Sequence, residues 1–414
     1  MLICWNKYGF LKLSVSFIFF LLISFPCISQ PDKKGFIECE MFPIPESFHN
    51  GSGYTALETG YDGNIYVGTA FYGSSAHLVR FNPRTLKWED LIDAHKITRE
   101  TGKGLDSQSK FHAKLLVDAE GVIWAATKQG NENFIERPEF AENPSGYPGG
   151  HLFSFNPKTG IVTDHGILIK QQGIMGGSID RKRKKIYFWS DPKQHFLVYD
   201  IETGSVRDLG QTGGYPRYTA IDKRGRVFGT GRPGIVWMYD PETDRLYDLA
   251  VRLNGPGTYK DPYAMIISND GDKIFAVAIG GEYVMEFDLS SISFSDRNPD
   301  TDGSIICYHA GKSFPEQAGK PGDQHTAVCG KDGCLYFPNV IDKTPYLMRY
   351  DPEKKSVECL GIIKVKGRPE LNPLHAQGAC TTKDGTIYMK FISAGAGKLM
   401  PYSIVRFNRL SARK

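Results

Sequence analysis

Short runs in which apolar positions alternate with polar ones follow one another along the chain, each cut off by a polar turn, which is the pattern of strands joined by hairpins. One such phrase occurs seven times: "YDGNIYVGT" from Tyr61, "AEGVIWAAT" from Ala119, "RKKIYFWS" from Arg183, "KRGRVFGTG" from Lys223, "NDGDKIFAV" from Asn269, "KDGCLYFPN" from Lys331 and "KDGTIYMKF" from Lys383. In most copies a glycine, often after aspartate, provides the positive φ of a tight hairpin. A second phrase alternates with the first, also seven times: "HLVRFNPRT", "HLFSFNPKT", "FLVYDIETG", "IVWMYDPET", "YVMEFDLSS", "YLMRYDPEK" and "SIVRFNRLS". Its aromatic anchors, Phe81, Phe155, Tyr199, Tyr239, Phe287, Tyr350 and Phe407, lie 40 to 74 residues apart, the spacing of a four-stranded repeat with loops of variable length.

A further strand precedes the first phrase, as in "GYTALETG" and "AKLLVDAE", and another follows the second, as in "LKWEDLI" and "SVRDLG". Four strands per repeat and almost no helix signal predict an all-β chain: a seven-bladed β-propeller of four-stranded blades, with "FIECEMF" near the N-terminus supplying the outer strand of the last blade. Residues 30–414 read as one such domain. Departures such as "KQGNENFIERPEFAENPSGYPGG" read as loops that shape one face. Residues 1–29 carry Lys7 and Lys12, then "LSVSFIFFLLISF", then small residues before Gln30, the order of a signal peptide. The expectation is therefore an exported protein, periplasmic or extracellular. Cys27 admits a lipid anchor, but Phe25 and Pro26 stand where a lipidation site wants small residues. No later apolar run approaches the ~20 residues that span a bilayer.

The formal charge is +4, and +2 without Lys7 and Lys12, which points neither to nucleic acid nor to a strongly anionic surface. "RKRKK", Arg181 to Lys185, falls where a solvated hairpin turn is expected. Cys39, Cys307, Cys329, Cys334, Cys359 and Cys380 remain after the leader, and an exported protein permits disulfides between them. The C-terminal group of Cys307, His309, His325, Cys329, Cys334, Cys359, His375 and Cys380 offers ligands that suit zinc, though at no known zinc spacing. The sequence requires no cofactor; a structural zinc or calcium ion stays open.

Candidate chemistry comes from one face. In a propeller the start of each innermost strand and the connection between second and third strands return to the same side. His112, Tyr218, Tyr263, His325 and His375 stand near innermost-strand starts, and His77, His151, His195 and Arg232 on those connections, so all nine are expected at one mouth. His49, His95, His165 and His309 read as surface residues. The His, Tyr and Arg types, without a carboxylate pair, argue against a two-acid glycosidase. They suit β-elimination at a uronic acid: a base takes the C5 proton, an arginine neutralises the carboxylate, and an acid protonates the departing O4. The expected catalytic set is His112, His151, Tyr218 and Arg232, with Tyr215, Arg217, His325 and His375 binding substrate.

The strand entry "SKFHAKLLVDAEG", the later "YPGGHLFSFNPKTG" and "RYTAIDKRGRVFGTGRPG" together resemble exported bacterial propeller enzymes that act on rhamnose joined to glucuronic acid. These are the α-L-rhamnosidases of glycoside hydrolase family 145, the related L-rhamnose-α-1,4-D-glucuronate lyases and, more distantly, the propeller ulvan lyases. The resemblance covers nearly the whole mature chain and implies a uronic-acid-containing polysaccharide of arabinogalactan type as partner. In the lyases two histidines, a tyrosine and an arginine gather at the anterior mouth, and His112, His151, Tyr218 and Arg232 are the positions that resemble them. The rhamnosidases are credited with one essential histidine on the opposite face, and no residue of the posterior turn "TGYDG" matches it. Elimination is therefore the leading expectation, with hydrolysis of the same linkage and a non-catalytic carbohydrate-binding propeller as alternatives.

Overall fold

The two recurring phrases are adjacent antiparallel strands in every repeat. In the computed structural model the described residues are 35–104, 106–130, 146–214, 218–255, 259–278, 283–294, 300–312, 326–395, 398–408 and 410. They belong to one compact unit, Lys33–Lys414. The leader, 1–29, lies outside the described residues, as do Tyr215, Arg217 and His325.

Among the described residues the strands sort into seven antiparallel sets of four. Gly51–Thr59, Ile65–Ala70, His77–Asn82 and Lys87–Asp93 make the first. Leu116–Val117, Ile123–Lys128, Gly149–Phe155 and Val162–Lys170 make the second. The third is Gly173–Asp180, Lys185–Asp191, His195–Asp200 and Val206–Gln211. The fourth is Ala220–Ile221, Val227–Thr230, Ile235–Asp240 and Arg245–Asn254. The fifth is Pro262–Ile267, Lys273–Ala278, Tyr283–Phe294 and Gly303–Lys312. The sixth is Val328–Cys329, Leu335–Ile341, Thr344–Asp351 and Ser356–Val365. The seventh takes Asn372–Thr381, Ile387–Gly395 and Lys398–Phe407 from the C-terminus and its outer strand from Phe36–Pro43. That strand does more than the sequence suggests: Glu40–Pro43 pairs antiparallel with the seventh set, while Phe36–Cys39 pairs parallel with Ser356–Val365 of the sixth. Two sheet edges that would otherwise lie open are covered by one segment.

The anchors explain why the repeat is needed. All seven are buried, at 0 to 3 % exposure. Each packs on an aromatic of the second strand of the set before it: Phe155 on Tyr66, Tyr199 on Trp124, Tyr239 on Tyr187 and Tyr350 on Phe275 by direct ring contact. Phe287 shares a core cluster with Phe228, Phe407 with Tyr336, and Phe81 with Tyr388, the last pair joining the seventh set to the first. Each such side chain stabilises by about 1.5–3 kcal/mol on burial, so the seams between sets add to what the strand ladders contribute. The innermost strands also neighbour one another in a cycle that closes between Asn372–Thr381 and Gly51–Thr59. There Gly378 comes so near that a Cβ would stand 3.0 Å from the Tyr54 carbonyl oxygen. The first-phrase turns use positive φ in Gly63, Gly121, Gly225, Gly271, Gly333 and Gly385, and in Lys184 where glycine is missing. The fold is an all-β propeller. No helix among the described residues is long and apolar enough to cross a membrane.

Candidate functional site

Of the nine residues expected at one mouth, His325 lies outside the described residues, and the other eight divide into an inner group, with Tyr263 in the innermost strand Pro262–Ile267, and an outer group. His112 belongs to the inner one. The innermost strand of the second set breaks between Lys110–Phe111, which pairs with Ala70 and with Thr127–Lys128, and Leu116–Val117. His112 sits in the break, 1 % exposed, with Nδ1 2.9 Å from the Met175 carbonyl oxygen. A carbonyl only accepts, so Nδ1 carries the proton and the lone pair of the neutral ring is on Nε2.

The Tyr54 ring stacks on His112, with centroids 4.6 Å apart. Lys110 Nζ stands 5.1 Å from the Tyr54 ring and 5.0 Å from the Tyr72 ring, and the Tyr72 hydroxyl donates to that of Tyr54 over 3.3 Å. Tyr54 holds φ at +48°, left-handed for a non-glycine residue, at a cost of about 1–3 kcal/mol, within the bulge that separates Ser52 from Leu57 in the strand register. His375, half-buried in the innermost strand of the seventh set, has the same kind of φ, +49°. Tyr218, 4 % exposed, reaches from the fourth set to the far wall. Its hydroxyl donates to the Gln377 carbonyl oxygen at 3.1 Å and lies 2.9 Å from Thr326 Oγ1. Gln377 precedes the Gly378 that touches Tyr54, so Tyr218 and the His112 group border the same ring of innermost strands.

The outer group is held by a second repeat. His77 and His195 open the third strand of their sets and His151 is the third residue of its own, and each turns Nδ1 to an aspartate 13 residues later on the outer strand: Asp90 at 2.9 Å, Asp164 at 2.9 Å and Asp208 at 2.7 Å. His151 has a further partner. A single helical turn, Ala94–Thr98, begins on the Asp93 side chain and ends at Arg99 in the left-handed region, and the following Glu100 places Oε1 2.8 Å from His151 Nε2. Burial would depress the His151 pKa, but the Asp164 and Glu100 carboxylates outweigh it and raise it to about 9, and His151 in turn holds both acids below their usual range against the effect of burial. His151 is thus a charged ring with both nitrogens occupied by carboxylates, not a neutral base.

Arg232, in the turn between the second and third strands of the fourth set, is more than half exposed. It donates to the Asp300 carbonyl and lies 3.9 Å from Asp248, the register equivalent of the three aspartates, nine residues after the anchor Tyr239. Burial raises the Asp248 carboxyl despite Arg232. Third-strand residues lean on the outer strand of their own set, which is why the connections do not all converge inward.

The histidines expected on the surface are half-buried and engaged. His49 Nδ1 is 2.7 Å from the Ser75 carbonyl, His95 Nε2 accepts from Gln108 N, His165 bridges Ser154 and Tyr199, and the His309 ring meets Tyr283. The basic turn is a surface turn whose charges meet acids: Arg183 pairs with Asp180, Lys184 with Glu202 and Lys185 with Asp200. The six described cysteines are free thiols. Burial pushes Cys39, Cys307, Cys329 and Cys334 up to about 12, which keeps them protonated. Among the described residues no group of three or more His, Cys, Asp or Glu side chains could hold a metal ion.

Sequence reasoning passed over Tyr54, Lys110, Tyr72 and Glu100. The first three carry no repeat signature, and Glu100 lies in an insertion. The aspartates were legible: Asp90, Asp164, Asp208 and Asp248 each stand nine residues after an anchor.

No family model and no curated protein matches the chain. Solved structures do. The chain is similar to "Structure of U3-55K" at 9 % identity and TM-score 0.57, over 89 % of this chain and 98 % of that one. It is similar to "Crystal structure of RRP9 WD40 repeats" at 10 % identity and TM-score 0.57, over 89 % and 97 %. A chain of "Crystal Structure of Mitotic Checkpoint Complex" gives 8 % identity and TM-score 0.53, over 94 % and 99 %. At such identities the likeness carries the propeller fold.

Proposed function

We propose that the protein is an exported carbohydrate-active enzyme that cleaves L-rhamnose-α-1,4-D-glucuronate linkages in arabinogalactan-type polysaccharides by β-elimination, at the inner group around His112. The observation that carries this reading is the tautomer of His112: Nδ1–H bonds the Met175 carbonyl oxygen, which in the neutral ring puts the basic lone pair on Nε2, the form a general base takes. That base removes the C5 proton of the glucuronate; the C–H electron pair becomes the C4=C5 double bond, and the C4–O4 bond breaks. O4 leaves with its electron pair and is protonated by a phenol, Tyr218 by the sequence reading or Tyr54 by its stacking on His112. The charge that makes C5–H acidic fits Lys110 better than Arg232, since Lys110 Nζ adjoins the Tyr54 ring that stacks on His112 and Arg232 lies beside Asp248 of the outer strand.

A non-catalytic sugar-binding propeller is the second reading, favoured by the 1 % exposure of His112. The test is incubation with a rhamnose-capped arabinogalactan, following released rhamnose and ultraviolet absorbance together. Elimination leaves a double bond conjugated to the carboxylate, so both signals rise, and His112→Asn slows them by roughly 10²–10⁴-fold. Rhamnose without absorbance overturns elimination in favour of an α-L-rhamnosidase. Neither signal, with sugar bound, leaves the binding propeller.

A further inference from the structure

An exposed ring stands one residue from the cluster around His112. Phe71 is 49 % exposed. One face of its ring lies on His49, with centroids 4.5 Å apart and planes 25° apart. Next in sequence is Tyr72, half-buried, whose ring borders Lys110 and whose hydroxyl meets Tyr54, which in turn stacks on His112. The backbone under Phe71 is strapped down: its N–H donates to the Ser109 carbonyl at 2.8 Å, Ser74 N donates back to the Phe71 carbonyl at 3.0 Å, and Gly73 N reaches the Gly130 carbonyl at 3.2 Å. The backing ring is fixed as well, because His49 is held at φ +49° and its Nδ1–H bonds the Ser75 carbonyl.

An isolated exposed phenylalanine is ordinary and needs no function. This one is backed by a second ring and directly precedes Tyr72 of the aromatic and cationic cluster, and a fixed aromatic face loses little conformational freedom when a flat partner settles on it. From this we infer that Phe71, flanked by Tyr72, is a sugar-stacking subsite that receives a pyranose ring of the polysaccharide next to the uronate and leads the chain toward His112. The inference rests on the proposed function for the identity of the sugar, but it concerns binding and not turnover. The axial C–H groups of a pyranose lie against the aromatic face, and the carboxylate of the neighbouring uronate is directed to the positive charge of Lys110.

The experiment is calorimetric titration of an oligosaccharide ending in rhamnosyl-glucuronate into the His112→Asn protein, so that no ligand is consumed, compared with the same protein carrying Phe71→Ala or Phe71→Trp. Phe71→Ala is expected to weaken binding at least tenfold and Phe71→Trp to retain it, with thermal midpoints close to the parent because the residue is a surface one. Binding by Phe71→Ala within twofold of the parent overturns the subsite, as does a parent that binds no such sugar. Should the wild-type protein bind with this Phe71 dependence but give no ultraviolet product, the elimination reading fails and the subsite stands.

Discussion

His151 in the second set and His195 in the third are placed alike: each lies near the start of a third strand, four residues before its anchor, and each turns Nδ1 to an aspartate 13 residues on. They differ in what reaches the other nitrogen and in how much water is present. His151 has Glu100 at 2.8 Å and a side chain 10 % exposed, whereas His195 is 23 % exposed and its Asp208 43 %. His77 is the intermediate case: it is buried like His151, yet among the described residues its Nε2 has no hydrogen-bond partner. One local device, copied with the repeat, has become a buried three-membered charge cluster in one set, a half-satisfied pair in another and a surface ion pair in a third. A recurring histidine in a repeat protein thus reports first on the repeat, and only its non-repeating partners distinguish one copy from the next.

The largest effect expected from this comparison is on stability. His151→Phe keeps a ring but leaves Glu100 and Asp164 facing each other without the positive charge between them, and removing one member of a buried charge cluster costs about 3–5 kcal/mol. Urea unfolding at pH 6 measures it. A loss under 1 kcal/mol would mean that the cluster is wet and its third partner immaterial.

The same cluster sets a pH dependence. With a folded pKa of about 9 against an ordinary value of 6.5, His151 contributes stability that is fully present below about 6.5 and is lost as pH rises through 9. Glu100 and Asp164 have lowered pKa values, so their contribution is present above their ordinary 4.5 and 3.8 and disappears as pH falls further. Thermal midpoints of the wild type are therefore expected to decline between pH 6.5 and 9 more steeply than those of His151→Phe. Parallel curves would count against the charged ring.

How much of this was legible depends on periodicity. The strands, the turn glycines, the seven anchors and the closing role of Phe36–Pro43 repeat or complete a repeat, so a pattern of residues was enough to find them. His112 and Tyr218 could be placed beside innermost strands because the starts of those strands are countable. Position along a strand does not say whether a side chain leans inward or onto its outer neighbour, and so His151, His195 and Arg232 were placed at the mouth when they are tied to Asp164, Asp208 and Asp248. Tyr54 depends on a bulge, and Glu100 on a single turn of helix within an insertion, features that a repeat does not encode.

His77→Phe is expected to cost less than His151→Phe. The substitution loses one hydrogen bond to Asp90, whose side chain is 33 % exposed and can turn to water, and it removes a buried nitrogen that makes no bond, so the two changes partly cancel at about 1 kcal/mol net. A cost equal to that of His151→Phe in the same urea series would show that the shared aspartate, and not the third partner, carries the energy.

The smallest effect belongs to His195→Phe. Both members of its pair are partly hydrated, at 23 % and 43 % exposure, so the ion pair replaces interactions that water already provides and is weakened further by salt. The expected change is about 0–1 kcal/mol, shrinking when the unfolding is repeated at high ionic strength. A larger, salt-insensitive loss would place the stabilisation in the packing of the ring and not in its charge, and would remove the ground for treating the three histidines as one device in three settings.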